Sequence, residues 1–362
     1  MDAASSGKQQ VNQLLLVCAK KIIQEFCVAN LSSPDGIVLL AKKPGLTSFS
    51  SLHSVKKALG TSKVGHTGTL DSFAQGLLVV CTGRLTKLAG NITEFDKSYE
   101  AVIKFGEETD TLEYTGNIIR TAPLPSLEAL NKAISKYTGN IMQSPPSFSA
   151  VHVNGKRASD LAREGKTVEI PPRPVTVYEA QLTESKTDSQ GLIEYCKISF
   201  TVSKGTYIRC LARDIAKEAG SAGHLAGLYR TRVGNFDIKD AAGFKELSEF
   251  SIESSIEASK QSIDLQKPYA NDSLLQEEIK NTIRGCDRET ASLCGFNSIT
   301  LKDQAAEKDY CNGKPLRSAL FTCNLHELAP AALYAVFSQD EVFRGLIEKE
   351  SGGRIRHRFV LN

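Results

Sequence analysis

Gly65-His66-Thr67-Gly68-Thr69-Leu70-Asp71-Ser72-Phe73-Ala74-Gln75-Gly76 runs into an apolar strand pattern, Leu77 to Cys81. The glycines at 65, 68 and 76 let the backbone turn sharply and come close to a ligand. An aspartate held in such a loop can act as nucleophile, base or metal ligand, or simply cap the next turn. Periodicity alone does not choose among these.

Outward from this loop, Gly36 to Ala41 reads as a buried-type strand, and a helix follows from about Ser50. Leu52, Val55 and Leu59 share one face of that helix, and Gly60 is a natural C-terminal stop. Ser98 to Phe105 alternates as a strand, and Ser126 caps a helix carrying Leu127, Leu130, Ile134 and Tyr137. Ser149 to Val153, the Asn154-Gly155 turn and Lys156-Arg157 begin a hairpin-like element. Val175 to Glu184 and Leu192 to Val202 read as long strands joined by a polar loop. A helix after Lys204-Gly205 buries Tyr207, Ile208, Leu211 and Ile215.

Strands and helices do not alternate strictly, so the fold class expected is α+β with a mixed, largely antiparallel sheet. Residues 1–35 read as an N-terminal extension. Within it Val11, Leu14, Leu15, Cys18, Ile22 and Phe26 make Gln10 to Ala29 an amphipathic helix that packs on the body or binds a partner. The catalytic body is expected over 36–244 and a connector over 245–308. Leu333 to Phe337, Val342 to Glu348 and Arg356 to Leu361 suggest a small β-rich domain over 309–362.

A chain of 362 residues suggests two or three domains, and 41% apolar with 23% charged residues is ordinary globular composition. The net charge is only +3, yet Gly36 to Asp240 carries an excess of roughly six positive charges, which suits a polyanionic partner. Nine cysteines without a Cys-x-x-Cys pair exclude zinc-ribbon and thioredoxin-like sites and suit reduced thiols in the cytoplasm. The apolar run Leu14 to Ala19 is followed, not preceded, by Lys20-Lys21, the reverse of a signal peptide. No stretch approaches the ~20 apolar residues of a membrane span, so no membrane partner is expected. A phosphate loop, a Rossmann glycine motif and a His-Glu-x-x-His helix are all missing, and no histidine pair has ligand spacing. The expectation is an enzyme with no cofactor and no metal.

The loop string from Gly65 to Gly76 resembles the signature of the TruB family of tRNA pseudouridine synthases. Further motifs of that family follow in order: Lys97-Ser98-Tyr99, Gly106 through Thr109-Asp110-Thr111 to Gly116, and Gln143-Ser144-Pro145-Pro146 with Ser149-Ala150. Arg173-Pro174-Val175-Thr176-Val177-Tyr178, Lys204-Gly205-Thr206-Tyr207-Ile208-Arg209 and Leu228-Tyr229-Arg230-Thr231 complete the set. The first motif departs from the pattern. The family begins with an acidic residue and Lys-Pro-x-Gly, whereas Ala41-Lys42-Lys43-Pro44-Gly45 stand here and the proline comes one position late.

The resemblance implies isomerisation of uridine to pseudouridine at uridine-55 in the T loop of tRNA. It makes Asp71 the catalytic group, attacking ribose C1′ or removing the C2′ proton. It makes Arg209 the partner that aims the carboxylate, and Tyr99 the ring that stacks on the base or takes the C5 proton. Leu228 lines the uracil pocket, and His66 fills the gap left by the flipped base. Arg230 either binds phosphate or braces the loop. Lys156, Arg157, Arg163 and Lys166 grip RNA from an insertion near 144–173, and the C-terminal domain is PUA-like, touching the acceptor side of tRNA. A monomer is expected.

Bland readings stand beside each role: core aromatic for Tyr99, core packing for Leu228, a solvated ring for His66. The basic set is interspersed with Asp160 and Glu164, as on a solvated charged face. From other classes come a non-catalytic RNA-binding or tRNA-folding module on the same scaffold, and a phosphoryl-transfer enzyme using Asp71.

Overall fold

The computed structural model describes residues 34–149, 151–153, 155–164, 170–260 and 272–361. The helix expected over 10–29 lies outside these residues, as does Lys166. In chain order the strands of the body are β1 (Gly36–Lys42), β2 (Val64–His66), β3 (Gln75–Thr82), β4 (Lys97–Phe105), β5 (Glu107–Thr109), β6 (Ile118–Thr121) and β7 (Gly139–Gln143). They continue with β8 (His152–Val153), β9 (Lys156–Arg157), β10 (Arg173–Thr187), β11 (Ile193–Val202), β12 (Gly223–Val233) and β13 (Phe236–Asp237).

Seven of them form a sheet in the order β1-β3-β12-β4-β11-β10-β7, with β2 added to β3 and β13 to β12. Every pair in it is antiparallel except β3 with β12, which run parallel through Gln75–Tyr229 and Gly76–Arg230. The fold is therefore α+β with a mixed, largely antiparallel sheet. Two small hairpins, β5 with β6 and β8 with β9, stand apart from it.

Alternation along the strands sorts residues to the two faces. On β4, Tyr99, Ala101, Ile103 and Phe105 join one core with helices Leu127–Lys136 and Ile208–Glu218, while Val102 faces helix Ile252–Lys260. On β1 and β3, Leu39, Leu77 and Val79 share one cluster, and Val38, Leu78 and Val80 pack with helices Ser48–Leu59 and Ser273–Thr282. The caps read from sequence are in place. Ser126 accepts from the Ala129 amide, and Gly60 closes helix Ser48–Leu59 in the left-handed region at φ +61°. That helix begins at Ser48, two residues earlier than expected, because Thr47 rather than a later residue accepts from the Ser50 amide.

The expected connector is not a mere link. Helix Ser273–Thr282 buries Leu275 and Ile279 against β1 and the first helix. Asn297–Thr300 forms β14, which pairs in parallel with β15 (Ala332–Phe337). With β16 (Phe343–Lys349) and β17 (Ile355–Val360) it makes a four-stranded C-terminal sheet, so that sheet begins before residue 309. No helix among the described residues is long and apolar enough to cross a membrane.

Candidate active site

The loop between β2 and β3 is pinned from several sides. The Ser48 hydroxyl accepts from the Leu70 amide at 2.8 Å and donates to the Leu70 carbonyl at 3.0 Å. Arg230, 2% exposed on β12, donates through Nε to Leu77 O (2.7 Å), Nη1 to Thr69 O (3.2 Å) and Nη2 to Gly68 O (3.2 Å). Of the two roles open for Arg230 in sequence, the geometry realises the brace. Gly76 makes that approach possible. Its φ is +124°, and a Cβ there would lie 2.3 Å from the Arg230 carbonyl oxygen.

Lys42 supplies a brace that sequence reasoning missed. It is wholly buried at the end of β1, and its Nζ donates to Leu46 O (2.7 Å), Lys43 O (3.0 Å) and Ser72 O (3.2 Å). Burial, opposed by the charge of Asp71 and helped by that of Arg230, pulls its pKa down to about 7. The late proline leaves Gly45 at φ +84°, with its amide donating to Ser72 O at 2.8 Å, so the first motif still grips the loop.

Asp71 caps no helix. Its carboxylate, 31% exposed, meets Arg209, whose side chain is only 6% exposed near the start of helix Ile208–Glu218. Nε donates to Oδ2 at 3.0 Å and Nη2 to Oδ1 at 3.1 Å, a two-pronged pair that fixes the plane of the carboxylate. The guanidinium also donates to Thr111 O and Phe148 O, both at 3.0 Å. Gln143, 1% exposed, clamps the peptide just before: its Nε2 donates to Tyr207 O (3.1 Å) and its Oε1 accepts from the Tyr207 amide (2.8 Å). Tyr207 accordingly lies outside the helix it was assigned to and forms part of the cavity wall.

A cavity of about 440 Å³ opens over this pair. Asp71, Tyr99, Arg209, Leu228 and Arg230 all line it, together with Lys97, Phe148, Ser149 and Tyr207. Tyr99 is 9% exposed and sits opposite Arg230 of β12 and Phe200 of β11, so it serves the core and the cavity at once. The Lys97 amine donates to Thr93 O at 2.6 Å, and burial lowers its pKa to about 8, with Arg230 adding to the effect.

Glu113 was missed as well. Its pKa is pushed up to about 7, first by burial and then by the negative charge of Asp71, while a 2.8 Å hydrogen bond from Thr115 and the charge of Arg209 act the other way. A turn glutamate in an acidic segment gave no sign of this.

The remaining sequence-derived residues lie apart. His66 is on β2, half-buried and not in the cavity lining, and its Nδ1 is buried without a partner among the described residues. Burial, then the charge of Arg230, lowers its pKa and favours the neutral ring. Lys156 and Arg163 are exposed around the β8–β9 hairpin, away from the cavity lining, with Arg163 3.1 Å from Asp160. Arg157 is on β9. No group of side chains with metal-ligand geometry occurs among the described residues.

Residues 56–208 match the family model described as TruB family pseudouridylate synthase (N terminal domain). The tRNA pseudouridine synthase B of Treponema denticola is 49% identical over 230 residues, which is 59% of this chain and 64% of that relative. The enzyme of the same name from Treponema pallidum is 36% identical over 359 residues, 90% of this chain and 97% of the relative. Among solved structures, a chain in a Cbf5–Nop10–Gar1 complex superposes with a TM-score of 0.60 at 21% identity, covering 93% of this chain and 86% of that one. That likeness speaks to the fold alone. The pallidum match, which spans nearly the whole length of both proteins, decides membership, and this chain belongs to the TruB family of pseudouridine synthases.

Proposed function

We propose that the chain isomerises uridine to pseudouridine in tRNA, at uridine-55 of the T loop, with Asp71 acting on the ribose of a flipped nucleotide. The observation that carries this reading is the Asp71–Arg209 pair at the floor of a cavity lined by Tyr99 and Leu228. Cleaving a glycosidic bond requires an anion beside the sugar, and a carboxylate aimed by a fixed guanidinium meets that need without reorganising during the reaction. Asp71 attacks C1′, or removes the C2′ proton to leave a glycal, as the N1–C1′ bond breaks. The uracil turns, and C5 bonds to C1′ as the Asp71 ester is displaced or the C2′ proton is returned. Loss of the C5 proton with protonation of N1 completes the isomerisation.

Tyr99 stacks on the base or accepts its C5 proton. Leu228 packs on the ring. Flipping leaves a gap in the RNA stack costing a few kcal/mol, which the neutral His66 ring fills. Lys156, Arg157, Arg163 and Lys166 hold phosphates. The four-stranded C-terminal sheet is a PUA-like RNA-binding unit directed at the acceptor side of tRNA, and exposed Arg354 beside β17 suits that polyanion, whereas Arg356 and Arg358 are paired with Glu348. The protein works as a cytoplasmic monomer.

The test is Asp71→Asn assayed on purified T-arm RNA. Retained RNA binding with no pseudouridine is expected, and turnover near wild type would overturn the role of Asp71. A purely RNA-folding module has no use for the carboxylate–guanidinium pair. Equal rescue of misfolded tRNA by wild type and Asp71→Asn would reveal a second activity beside the first.

A further inference from the structure

We infer that the Ser149 hydroxyl binds a carbonyl oxygen of the flipped uracil and keeps hold of the base while it is detached from the ribose. This deepens the functional reading above and rests on it. Ser149 is 5% exposed and lines the catalytic cavity, yet its Oγ has no hydrogen-bond partner among the described residues. A hydroxyl removed from water and left unmatched is a net penalty, which alanine at the same place would avoid. Its neighbour Phe148 accepts from Arg209 through its carbonyl, so the hydroxyl is tied by one peptide to the group that aims Asp71. The unmatched donor and the reacting carboxylate thus share one cavity wall-to-floor.

The chemistry of uracil says what such a donor can do. Rotation of the free ring by half a turn about the axis through N3 and C6 exchanges N1 with C5, as isomerisation requires. The same rotation exchanges O2 with O4. A single hydroxyl donating to a carbonyl on one side therefore finds an equivalent acceptor after the turn, and it can retain the base without blocking its rotation. Tyr99 and Leu228 line the same cavity, where they supply a face and an apolar wall.

The experiment is a double-substitution cycle between enzyme and RNA, read as single-turnover pseudouridine formation. Wild type and Ser149→Ala are each given T-arm RNA carrying uridine, 4-thiouridine or 2-thiouridine at the target, sulfur being the weaker acceptor. Ser149→Ala should slow the uridine reaction about tenfold, the loss of one hydrogen bond. Its melting temperature should equal or exceed that of wild type, because an unmatched polar group has been removed. The rate penalty for the thio substitutions should shrink in Ser149→Ala, the sign of a shared contact. A Ser149→Ala rate within twofold of wild type, a lowered melting temperature, or equal thio penalties in both proteins would each overturn the role of Ser149 alone. Failure of wild type on the uridine RNA would overturn the functional reading together with it.

Discussion

Arg209 grips both carboxylate oxygens of Asp71 while two further donors hold the carbonyls of Thr111 and Phe148. One planar cation therefore ties together the catalytic loop, the acidic segment and the start of the insertion. A lysine keeps the charge but cannot span these acceptors in a fixed plane. Arg209→Lys should lower the single-turnover rate by about a hundredfold or more while RNA affinity stays within a few-fold. Parallel filter binding and pseudouridine assays check this; an equal loss in both would make Arg209 a binding residue instead.

Glu113 should leave a mark on stability against pH. Its folded pKa of about 7 stands above the ordinary value of 4.5, so it stabilises most when protonated, and this is lost as pH rises from about 4.5 through 7. Glu113→Gln lacks that penalty. The variant should gain on wild type across this window by of order 2 kcal/mol and show a flat difference above it. Urea denaturation of the two proteins at pH 5, 6, 7 and 8 measures the gap, and a difference independent of pH would refute the assigned cause.

Gly76→Ala tests the closeness of β3 and β12. The new methyl meets the Arg230 carbonyl at 2.3 Å in a backbone conformation side chains rarely adopt. A cost of about 2 kcal/mol or more is expected. Because the displaced strand carries Arg230, turnover should fall along with the melting temperature. An unchanged melting temperature would contradict the packing described for this position.

Salt dependence should report on the exposed cations of the insertion. Lys156 and Arg163 stand in solvent, and each phosphate contact removed should reduce the slope of log affinity against log salt by about one. Lys156→Ala with Arg163→Ala should therefore flatten that slope by about two and leave turnover at saturating RNA unchanged. A slope equal to wild type would assign these side chains to a merely solvated face.

Strands with clear alternation, such as β4, and helices with plain caps were legible in sequence, as was the loop, whereas the pair Asp71–Arg209 was implied only by the family resemblance. The central strand β12 was not. It buries Gly223, His224 and Arg230 beside apolar residues on both faces, so neither alternation nor an apolar run betrays it. Lys42 and Glu113 escaped for a related reason. Their importance comes from burial, which tertiary packing imposes on residue types normally solvated. The link between β14 and β15 joins residues distant in sequence, and the polar 245–308 region gives no hint of it.

The parallel contact of Gln75 and Gly76 with Tyr229 and Arg230 has a consequence for how the protein comes into being. It couples segments more than a hundred positions apart, so closing that loop is entropically slow and follows the local hairpins. Until it closes, Arg230 cannot reach the carbonyls that shape the catalytic loop. A chain emerging from the ribosome exposes its cationic insertion well before its chemistry is assembled. Competence should therefore arrive late and all at once, when the middle of the sheet zips shut.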